Sequence, residues 1–138
     1  MIESARIRVR YQETDQMGVV WHGNYFSWFE VGRTELFRNA GLPYRELEKQ
    51  NLFVPVIEAN CQYRIPARYD DTLSIETELS RLTGVRIEFS YTVVNQNEEV
   101  IAKGFTTHVF VDQNGKPINL SKANPELFAN FKRLLEKN

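Results

Sequence analysis

The chain has 138 residues, which fits one domain whose single core buries about two thirds of the unfolded surface. Its 17 basic and 18 acidic side chains nearly cancel, so no charge excess points to nucleic acid or to an anionic membrane. The single cysteine, Cys61, excludes an internal disulfide and a cysteine-rich metal site. Lacking a signal-like apolar N-terminus or a run of about 18 apolar residues, the sequence predicts a cytoplasmic protein with residues 1–138 as one domain and no membrane insertion.

The N-terminal segment predicts a strand that runs into a loop. Apolar and charged side chains alternate over residues 5–11, the pattern of a strand with one wet face, and Tyr11 falls on the buried side. Asp15 and Gly18 then mark a loop, because glycine adopts backbone angles that other residues resist and aspartate bonds nearby amides.

A helix is expected to begin directly after this loop. His22 precedes Gly23 and Asn24, either of which is a natural N-cap. Polar groups therefore gather before a helix N-terminus, where free N–H groups and the helix dipole favour negative charge. A site that holds a developing oxyanion needs this geometry.

This helix is expected over residues 24–40, with Gly41 following its end. Its apolar stripe covers about half of the circumference and comprises Tyr25, Phe26, Trp28, Phe29, Gly32, Leu36, Phe37 and Ala40. A helix this apolar is expected to be enclosed by other elements. Gly32 inside the stripe indicates that another backbone approaches closely, and the spacing of Glu30 and Arg33 predicts an ion pair.

The second half of the chain is dominated by strands. After a short polar helix over residues 43–50, four segments have strand composition, namely residues 53–65, 72–82, 85–94 and 100–111. Short connections, the first at Asp70 and Asp71, predict that consecutive strands are antiparallel neighbours. A final helix is expected, capped by Asn124. Strands in an uninterrupted run indicate the α+β class, with a curved antiparallel sheet wrapped around the long helix.

The residues around the loop and the helix start form a recognisable pattern, which reads Tyr11-x-Glu13-Thr14-Asp15-x-Met17-Gly18-Val19-Val20-Trp21-His22-x-Asn24-Tyr25, then Glu30-x-x-Arg33. This pattern strongly resembles hotdog-fold acyl-CoA thioesterases of the 4-hydroxybenzoyl-CoA thioesterase class, in the branch related to the Tol-Pal-associated enzyme. Residues 66–71 and 102–104 also look like that family. Two positions depart from it, since relatives commonly carry Asp at Glu13 and many carry Tyr or Phe at Trp21. We expect Glu13 to be a solvated carboxylate.

The resemblance implies a helix enclosed by a curved antiparallel sheet, and a homodimer whose sheets join and whose active sites lie at the interface. Many members assemble further, so a homotetramer is expected. It also implies that Asp15 is the essential carboxylate. At His22 it implies a backbone N–H aimed at the thioester carbonyl and an imidazole that arranges the pocket. Tyr11 is expected to line the site or to bond to a carboxylate there.

An acyl-CoA partner requires an acyl pocket and a site for phosphates. Around the acyl group we expect Gly18, Trp21, Gly23 and Tyr25. Basic side chains should meet the phosphates of coenzyme A. The candidates are Arg68, Arg81 and Arg86, together with Thr83 between the last two. Coenzyme A is here part of the substrate, and no separate cofactor is expected.

Hydrolysis of a thioester needs a positioned nucleophile and a prepared oxyanion site. Asp15 could attack the carbonyl directly or act as a base toward water, and the sequence leaves both open. A metal centre is not expected, because Asp15, His22, Cys61 and His108 lack a zinc-ligand spacing. A G-x-S-x-G elbow and a glycine-rich phosphate loop are also missing from the sequence.

Two other functions remain open at this point. One is hydration or dehydration of an acyl thioester, in which a histidine and a carboxylate share the proton transfers. The other is a non-catalytic module that binds or senses acyl-CoA. His108 lies outside the motif, and its default place is the core or the surface.

Overall fold

The computed structural model describes residues 2–136. It contains a five-stranded sheet and four α-helices within that range, together with a 3-10 turn at Tyr11–Glu13. The strands are β1 (Ile2–Arg8), β2 (Val56–Tyr63), β3 (Thr72–Leu82), β4 (Arg86–Val94) and β5 (Val100–Val109). The helices are α1 (Asn24–Asn39), α2 (Tyr44–Lys49), α3 (Leu120–Ala123) and α4 (Pro125–Glu136). None of the helices in residues 2–136 is long and apolar enough to cross a membrane.

The sheet is antiparallel throughout, in the order β1-β3-β4-β5-β2. The prediction that β2 and β3 are neighbours is wrong, because β1 takes the free edge of β3 and β2 pairs with β5. The connection over residues 64–71 is not a tight turn. It runs beside the Asp15 loop, where the Val20 N–H donates to the Ala67 carbonyl at 2.8 Å and Val19 forms a bridge with Arg68. β2 is therefore an edge strand.

The sheet encloses α1, which confirms the α+β hotdog arrangement expected from the sequence. Phe29, Leu36 and Phe37 are fully buried, and the Phe29 ring stacks on Tyr91 with 4.2 Å between centroids. Phe26 was expected in the buried stripe but is 37% exposed. It lies on a flank of the first helical turn that the sheet does not cover.

Gly32 allows the helix to lie directly on β3. A Cβ atom added there would lie 2.2 Å from Thr77 Oγ1 and 2.9 Å from Ile75 Cγ2. The predicted close approach is confirmed, and its reason is steric, since no side chain fits between the two elements. Thr77 Oγ1 is buried and has no hydrogen-bond partner among residues 2–136.

Arg33 turns toward the sheet. None of the ion pairs between residues 2 and 136 joins it to Glu30, so the predicted pair is wrong. Arg33 instead donates to the Tyr91 hydroxyl at 3.5 Å. The hydroxyl of Tyr44 also bonds to Arg33, and burial raises the pKa of Tyr44 to about 12. Neutral hydroxyl groups therefore solvate this half-buried cation.

The Arg33 contact is the first link of a buried chain of hydrogen bonds. Tyr91 Oη lies 2.6 Å from Thr106 Oγ1, His108 Nε2 lies 2.8 Å from the same hydroxyl, and His108 Nδ1 lies 2.8 Å from the Val54 carbonyl. Since a carbonyl only accepts, Nδ1 carries the proton and Nε2 accepts from Thr106. Tyr91 then donates to Thr106 and accepts from Arg33. In this row of four hydrogen bonds every donor points in the same direction, from α1 toward the start of β2.

Replacing Gly32 by alanine should destabilise the fold, because the new methyl group collides with Thr77. Overpacking of this kind costs about 1 to 3 kcal/mol, partly offset by the better helix propensity of alanine. Denaturant unfolding at equilibrium measures the effect. The Gly32→Ala/Thr77→Ala double variant removes the nearer colliding atom, Thr77 Oγ1, but not Ile75 Cγ2, so it should recover part of the loss. Wild-type stability in the Gly32→Ala single variant would contradict the contact.

His108 should make stability depend on pH. Burial lowers the pKa of His108 from 6.5 to about 4. The hydrogen bond to the Val54 carbonyl raises this pKa, and the positive charge of Arg33 lowers it further. Between these values the unfolded chain binds a proton that the folded chain does not. The free energy of unfolding is therefore highest above pH 6.5 and falls by about 3 kcal/mol as the pH is lowered to 4.

Unfolding free energies measured from pH 8 to pH 4 test this. His108→Asn keeps a donor near Nδ1 but does not titrate, so the slope should flatten while stability at pH 8 falls. His22→Asn is the matched control, because His22 is exposed and is the other histidine of the sequence. A slope that survives in His108→Asn would assign it to other groups.

Candidate active site

The Asp15 loop is a tight hairpin. Its two arms are joined by hydrogen bonds from the Trp21 N–H to the Glu13 carbonyl at 2.9 Å and from the Asp15 N–H to the Val19 carbonyl at 2.8 Å. Gly18 has φ of +78°, a left-handed conformation that favours glycine. The loop predicted from Asp15 and Gly18 is therefore present, and Gly18 shapes its tip.

The Asp15 carboxylate is exposed at this tip. Oδ1 accepts from the Met17 N–H at 2.8 Å and from the Val19 N–H at 3.4 Å. Oδ2 accepts no hydrogen bond from any group in residues 2–136. Asp15 lines an open cavity of about 360 Å³ together with Tyr11, Gln12, Thr14 and Gln16. One oxygen thus holds the turn while the other is available for chemistry.

Tyr11 differs from its prediction. The strand β1 ends at Arg8, and Tyr11 opens the 3-10 turn with 78% of its surface exposed. Its ring packs edge-on against Tyr69 at 5.8 Å. Tyr11 does border the Asp15 cavity, but it stands at the rim because β1 ends three residues earlier.

Glu13 is not the solvated carboxylate expected from the sequence. Its side chain is 11% exposed. Oε1 accepts from the Arg10 N–H at 2.7 Å and Oε2 accepts from the indole N–H of Trp28 at 3.2 Å. The Glu13 carbonyl also accepts from the Asn24 side chain at 2.8 Å. Glu13 therefore fastens the hairpin to α1, a role that the local sequence pattern did not reveal.

The start of α1 presents unused backbone donors. Gly23 is the N-cap, and the Asn24 N–H donates to the Trp21 carbonyl at 3.0 Å to close a turn. The Tyr25 N–H donates to the His22 carbonyl at 3.4 Å. In the part of the chain that the structure describes, neither the His22 nor the Gly23 backbone N–H donates to a protein group. These two donors lie at the positive end of the helix dipole.

A mainly apolar cavity of about 280 Å³ opens beside His22. It is lined by Val19, Val20, His22, Tyr25, Tyr63, Arg64, Ile65 and Pro66. The Tyr25 and Tyr63 rings meet edge-on at 4.9 Å, and burial raises the pKa of Tyr25, so its phenol stays protonated. Tyr63, at the end of β2, was not predicted, because no local motif marks a strand end that reaches a helix start.

Trp21 covers the other side of the helix start. A Cβ atom added at Gly23 would lie 2.2 to 2.8 Å from three atoms of the Trp21 ring. A side chain at this position would displace the Trp21 ring, whereas the φ of −66° at Gly23 suits any residue. Trp21 is 54% exposed and its ring lies 5.1 Å from that of His22.

The predicted phosphate residues divide into two places. Arg81, Thr83 and Arg86 come together in a cavity of about 160 Å³ at the β3–β4 turn, where Glu58 and Glu88 also lie. The Thr83 hydroxyl accepts from the Arg86 N–H at 3.0 Å, which folds the turn. No ion pair involving either of these arginines occurs in residues 2–136. Both arginines thus line the cavity beside two carboxylates without pairing directly with either.

Arg68 lies elsewhere, beside Val19 of the Asp15 hairpin. The arginine cavity is also distant from the His22 cavity within one chain. Glu58 lines the first and Tyr63 the second, and five residues of strand separate them by about 17 Å. No cluster of three or more His, Cys, Asp or Glu side chains among residues 2–136 could hold a metal ion.

Comparison with known proteins identifies the family. Residues 17–102, which include the helix start and most of the sheet, match the Thioesterase superfamily. The chain belongs to this superfamily. Its overlap with other members extends over nearly the whole length, as the relatives below show.

Two relatives illustrate the similarity. YneP of Bacillus subtilis (strain 168) is 37% identical over 126 residues, which cover 91% of each chain. The acyl-CoA thioester hydrolase YbgC of Escherichia coli O6:H1 is 32% identical over 128 residues, covering 92% of this chain and 93% of YbgC. A link to the Tol-Pal system stays a prediction.

The fold is also that of solved superfamily members. The DHNA-CoA thioesterase from Staphylococcus aureus aligns with a TM-score of 0.92 and 29% sequence identity, covering 98% of this chain and 91% of that one. The hotdog fold is therefore established by the strand order, by the enclosed helix and by this alignment.

Proposed function

We propose that this protein hydrolyses acyl-CoA thioesters to the free acid and coenzyme A. The observation that carries the proposal is that one hairpin presents a free Asp15 oxygen at its tip and leads directly into the start of α1, where two N–H donors are unused. Membership of the Thioesterase superfamily and the names of relatives such as YbgC support the same reaction.

The two devices have complementary roles. The N–H groups of His22 and Gly23 polarise the thioester carbonyl, and one such donor contributes about 3 to 4 kcal/mol to a transition state. Asp15 either attacks the carbonyl carbon, expelling the thiolate and leaving an anhydride that water cleaves, or takes a proton from the attacking water. In both routes the thiolate leaves and one water is consumed.

The acyl group is proposed to occupy the cavity beside His22. Its volume of about 280 Å³ and its Tyr25 wall suit a short or medium aliphatic chain or an aromatic ring. Trp21 and Gly18 flank the approach to the carbonyl, Tyr11 borders the rim, and the imidazole of His22 arranges the pocket. A thiol-release screen over aliphatic and aromatic acyl-CoA esters tests this substrate range.

The proposal includes a homodimer formed through β2. Seven of the eight residues of this edge strand are exposed, including Val56 and Ile57, which are 46% and 48% exposed. An edge of this kind offers a row of free N–H and C=O groups together with apolar side chains, which favours pairing with another strand. A second copy related by a two-fold axis would extend the sheet to ten strands.

Such pairing would also complete the site. If two β2 strands pair antiparallel about their centre, Glu58 of the second copy lies opposite Cys61 of the first. The arginine cavity of that copy then lies near Tyr63 and the His22 cavity of the first. A substrate with its acyl group at His22 would reach Arg81 and Arg86 across the interface, and Arg68 lies beside the loop that it passes.

A homotetramer and a cytoplasmic location complete the proposal. The exposed flank of α1, with Phe26 and Val31, is a surface on which two dimers could meet. Sedimentation velocity distinguishes dimer from tetramer, and cell fractionation tests the location.

Replacing Asp15 by asparagine should lower kcat by at least about a hundredfold, because the amide neither attacks nor takes a proton. The fold should persist, since asparagine supports this turn elsewhere in the chain. Asn95 Oδ1 accepts from the Asn97 and Glu99 N–H groups at 2.9 and 3.0 Å. Thiol release under saturating acyl-CoA measures the effect.

Asp112 provides a matched control. Its Oδ1 accepts from the Asn114 and Lys116 N–H groups, both at 2.9 Å, and Gly115 has φ of +77°, so the turn repeats that of Asp15. Asp112→Asn should keep full activity. Full activity in Asp15→Asn, or an equal loss in both variants, would sink the role given to Asp15.

Crotonyl-CoA distinguishes hydrolysis from hydration. Hydrolysis cleaves the thioester, so the enone absorbance should fall by the same amount as free thiol is released. This result supports the proposal. Loss of the enone band without thiol release would favour a hydratase. Stoichiometric binding without turnover across the substrate screen would favour a non-catalytic module.

Complementation between subunits tests the composite site. Asp15→Asn and the Arg81→Gln/Arg86→Gln double variant should each be nearly inactive at low acyl-CoA concentration. When the two are co-expressed in equal amounts, hybrid dimers contain one intact site of two, so about a quarter of wild-type activity should return. If the arginines served the Asp15 of their own chain, no activity would return.

A further inference from the structure

Tyr63 makes a contact that the proposed chemistry does not yet use. Its hydroxyl donates to the His22 carbonyl at 2.9 Å, and its ring meets the His22 ring edge-on at 6.2 Å. Tyr63 belongs to β2, while His22 precedes α1, so this hydrogen bond ties the edge strand to the helix start across 41 residues of sequence.

The carbonyl that Tyr63 holds is part of the central peptide of a turn. The Asn24 N–H donates to the Trp21 carbonyl at 3.0 Å, which makes the His22–Gly23 peptide the middle of that turn. Type I and type II turns differ by a rotation of this peptide through about 180°. Type II needs positive φ at its third residue, which glycine adopts readily. Gly23 has φ of −66° and ψ of −20°, so the type I form is present.

The orientation of this peptide decides where a donor points. In a trans peptide the C=O and N–H bonds point in opposite directions, and all peptide bonds of the described chain are trans. Holding the His22 carbonyl on the Tyr63 side therefore turns the Gly23 N–H toward the opposite side. A flip to type II would reverse both bonds and remove the Gly23 donor from its place.

Little else restrains the flip. The Tyr25 N–H also donates to the His22 carbonyl, but at 3.4 Å. The Trp21 ring lies where a Cβ atom of residue 23 would be, and the position is occupied by glycine, the residue that flips most easily. Glycine leaves room for the Trp21 ring but also allows the peptide to flip. The hydrogen bond from the Tyr63 hydroxyl holds the peptide in the type I orientation.

We propose that Tyr63 is a positioning residue that locks the His22–Gly23 peptide so that the Gly23 N–H stays directed at the substrate carbonyl. This inference rests on the proposed thioesterase function. It also makes catalysis sensitive to the placement of the edge strand β2, because the lock is carried by the last residue of that strand.

The lock can be observed without any activity measurement. His22–Gly23 is the one His-Gly pair in the sequence. Labelling with 13C-carbonyl histidine and 15N-glycine therefore gives a single HNCO signal, which reports the His22 carbonyl and the Gly23 N–H together. In Tyr63→Phe we expect the carbonyl resonance to move upfield, and the signal to broaden or split as the peptide exchanges between two orientations.

Tyr69→Phe is the matched control, because it removes an exposed phenol hydroxyl while keeping the ring that packs on Tyr11. Its HNCO signal should coincide with that of the wild type. An unchanged signal in Tyr63→Phe would overturn the lock. A Tyr63→Phe signal that changes only together with a lower melting temperature would also overturn it, since that result indicates general loosening.

Kinetics of thiol release provide the second measurement. Tyr63→Phe should lower kcat about tenfold or more, since a misdirected donor no longer stabilises the transition state, with KM changed by less than about threefold. A rise in KM alone would make Tyr63 a wall of the acyl cavity and overturn the proposal. Absence of thiol release by the wild-type protein would instead refute the proposed function, while the HNCO comparison would still test the lock.

Discussion

The direct contact of α1 with the sheet sets the position of everything at the candidate site. At Gly32 the helix backbone rests on Thr77 and Ile75, and at Gly104 the sheet backbone leaves room for the Phe29 ring, since a Cβ there would lie 2.7 Å from it. Glycine on the helix and glycine on the sheet thus fix both the depth and the rotation of α1. The helix start lies only about 12 Å from Gly32. A rigid helix carries that placement to His22 and Gly23.

Glu13 then fixes the hairpin relative to the helix. Its carbonyl accepts from the Trp21 N–H and from the Asn24 side chain, and its carboxylate accepts from the Trp28 indole. These bonds reach the second arm of the hairpin, the first residue of α1 and its second turn. Asp15 is only two residues away. Glu13 therefore fastens the hairpin that carries Asp15 to the start of α1 through one side chain and one carbonyl.

The sequence was sufficient for features that depend on neighbouring residues. The bounds of β3 agree with the prediction, α1 ends one residue early, and the Asn124 cap is present, with its Oδ1 accepting from the Leu127 N–H at 3.1 Å. These features follow from periodicity and from capping chemistry. The Asp15 loop and the Gly23 N-cap were predictable for the same reason.

Features that depend on distant parts of the chain could not be predicted. The position of β2 at the sheet edge follows from competition with β1 for β3, which no local pattern records. Arg33 has a carboxylate three residues away, yet it turns to Tyr91, because the buried side of the helix places that hydroxyl within reach. The contact of Tyr63 with His22 joins residues 41 apart in the sequence.

The Asp15 turn shows why a motif alone did not decide the chemistry. The same hydrogen-bond pattern occurs at residues 95–99 and 112–116, with φ of +62° at Glu98 and +77° at Gly115. Asn95 proves that this turn does not need a negative charge. The negative charge of Asp15 is therefore not required to form the turn. The same holds for Asp112, so charge alone does not make a site either. What distinguishes Asp15 is that its hairpin, which Glu13 fastens to α1, leads directly into a helix start with two unused N–H groups.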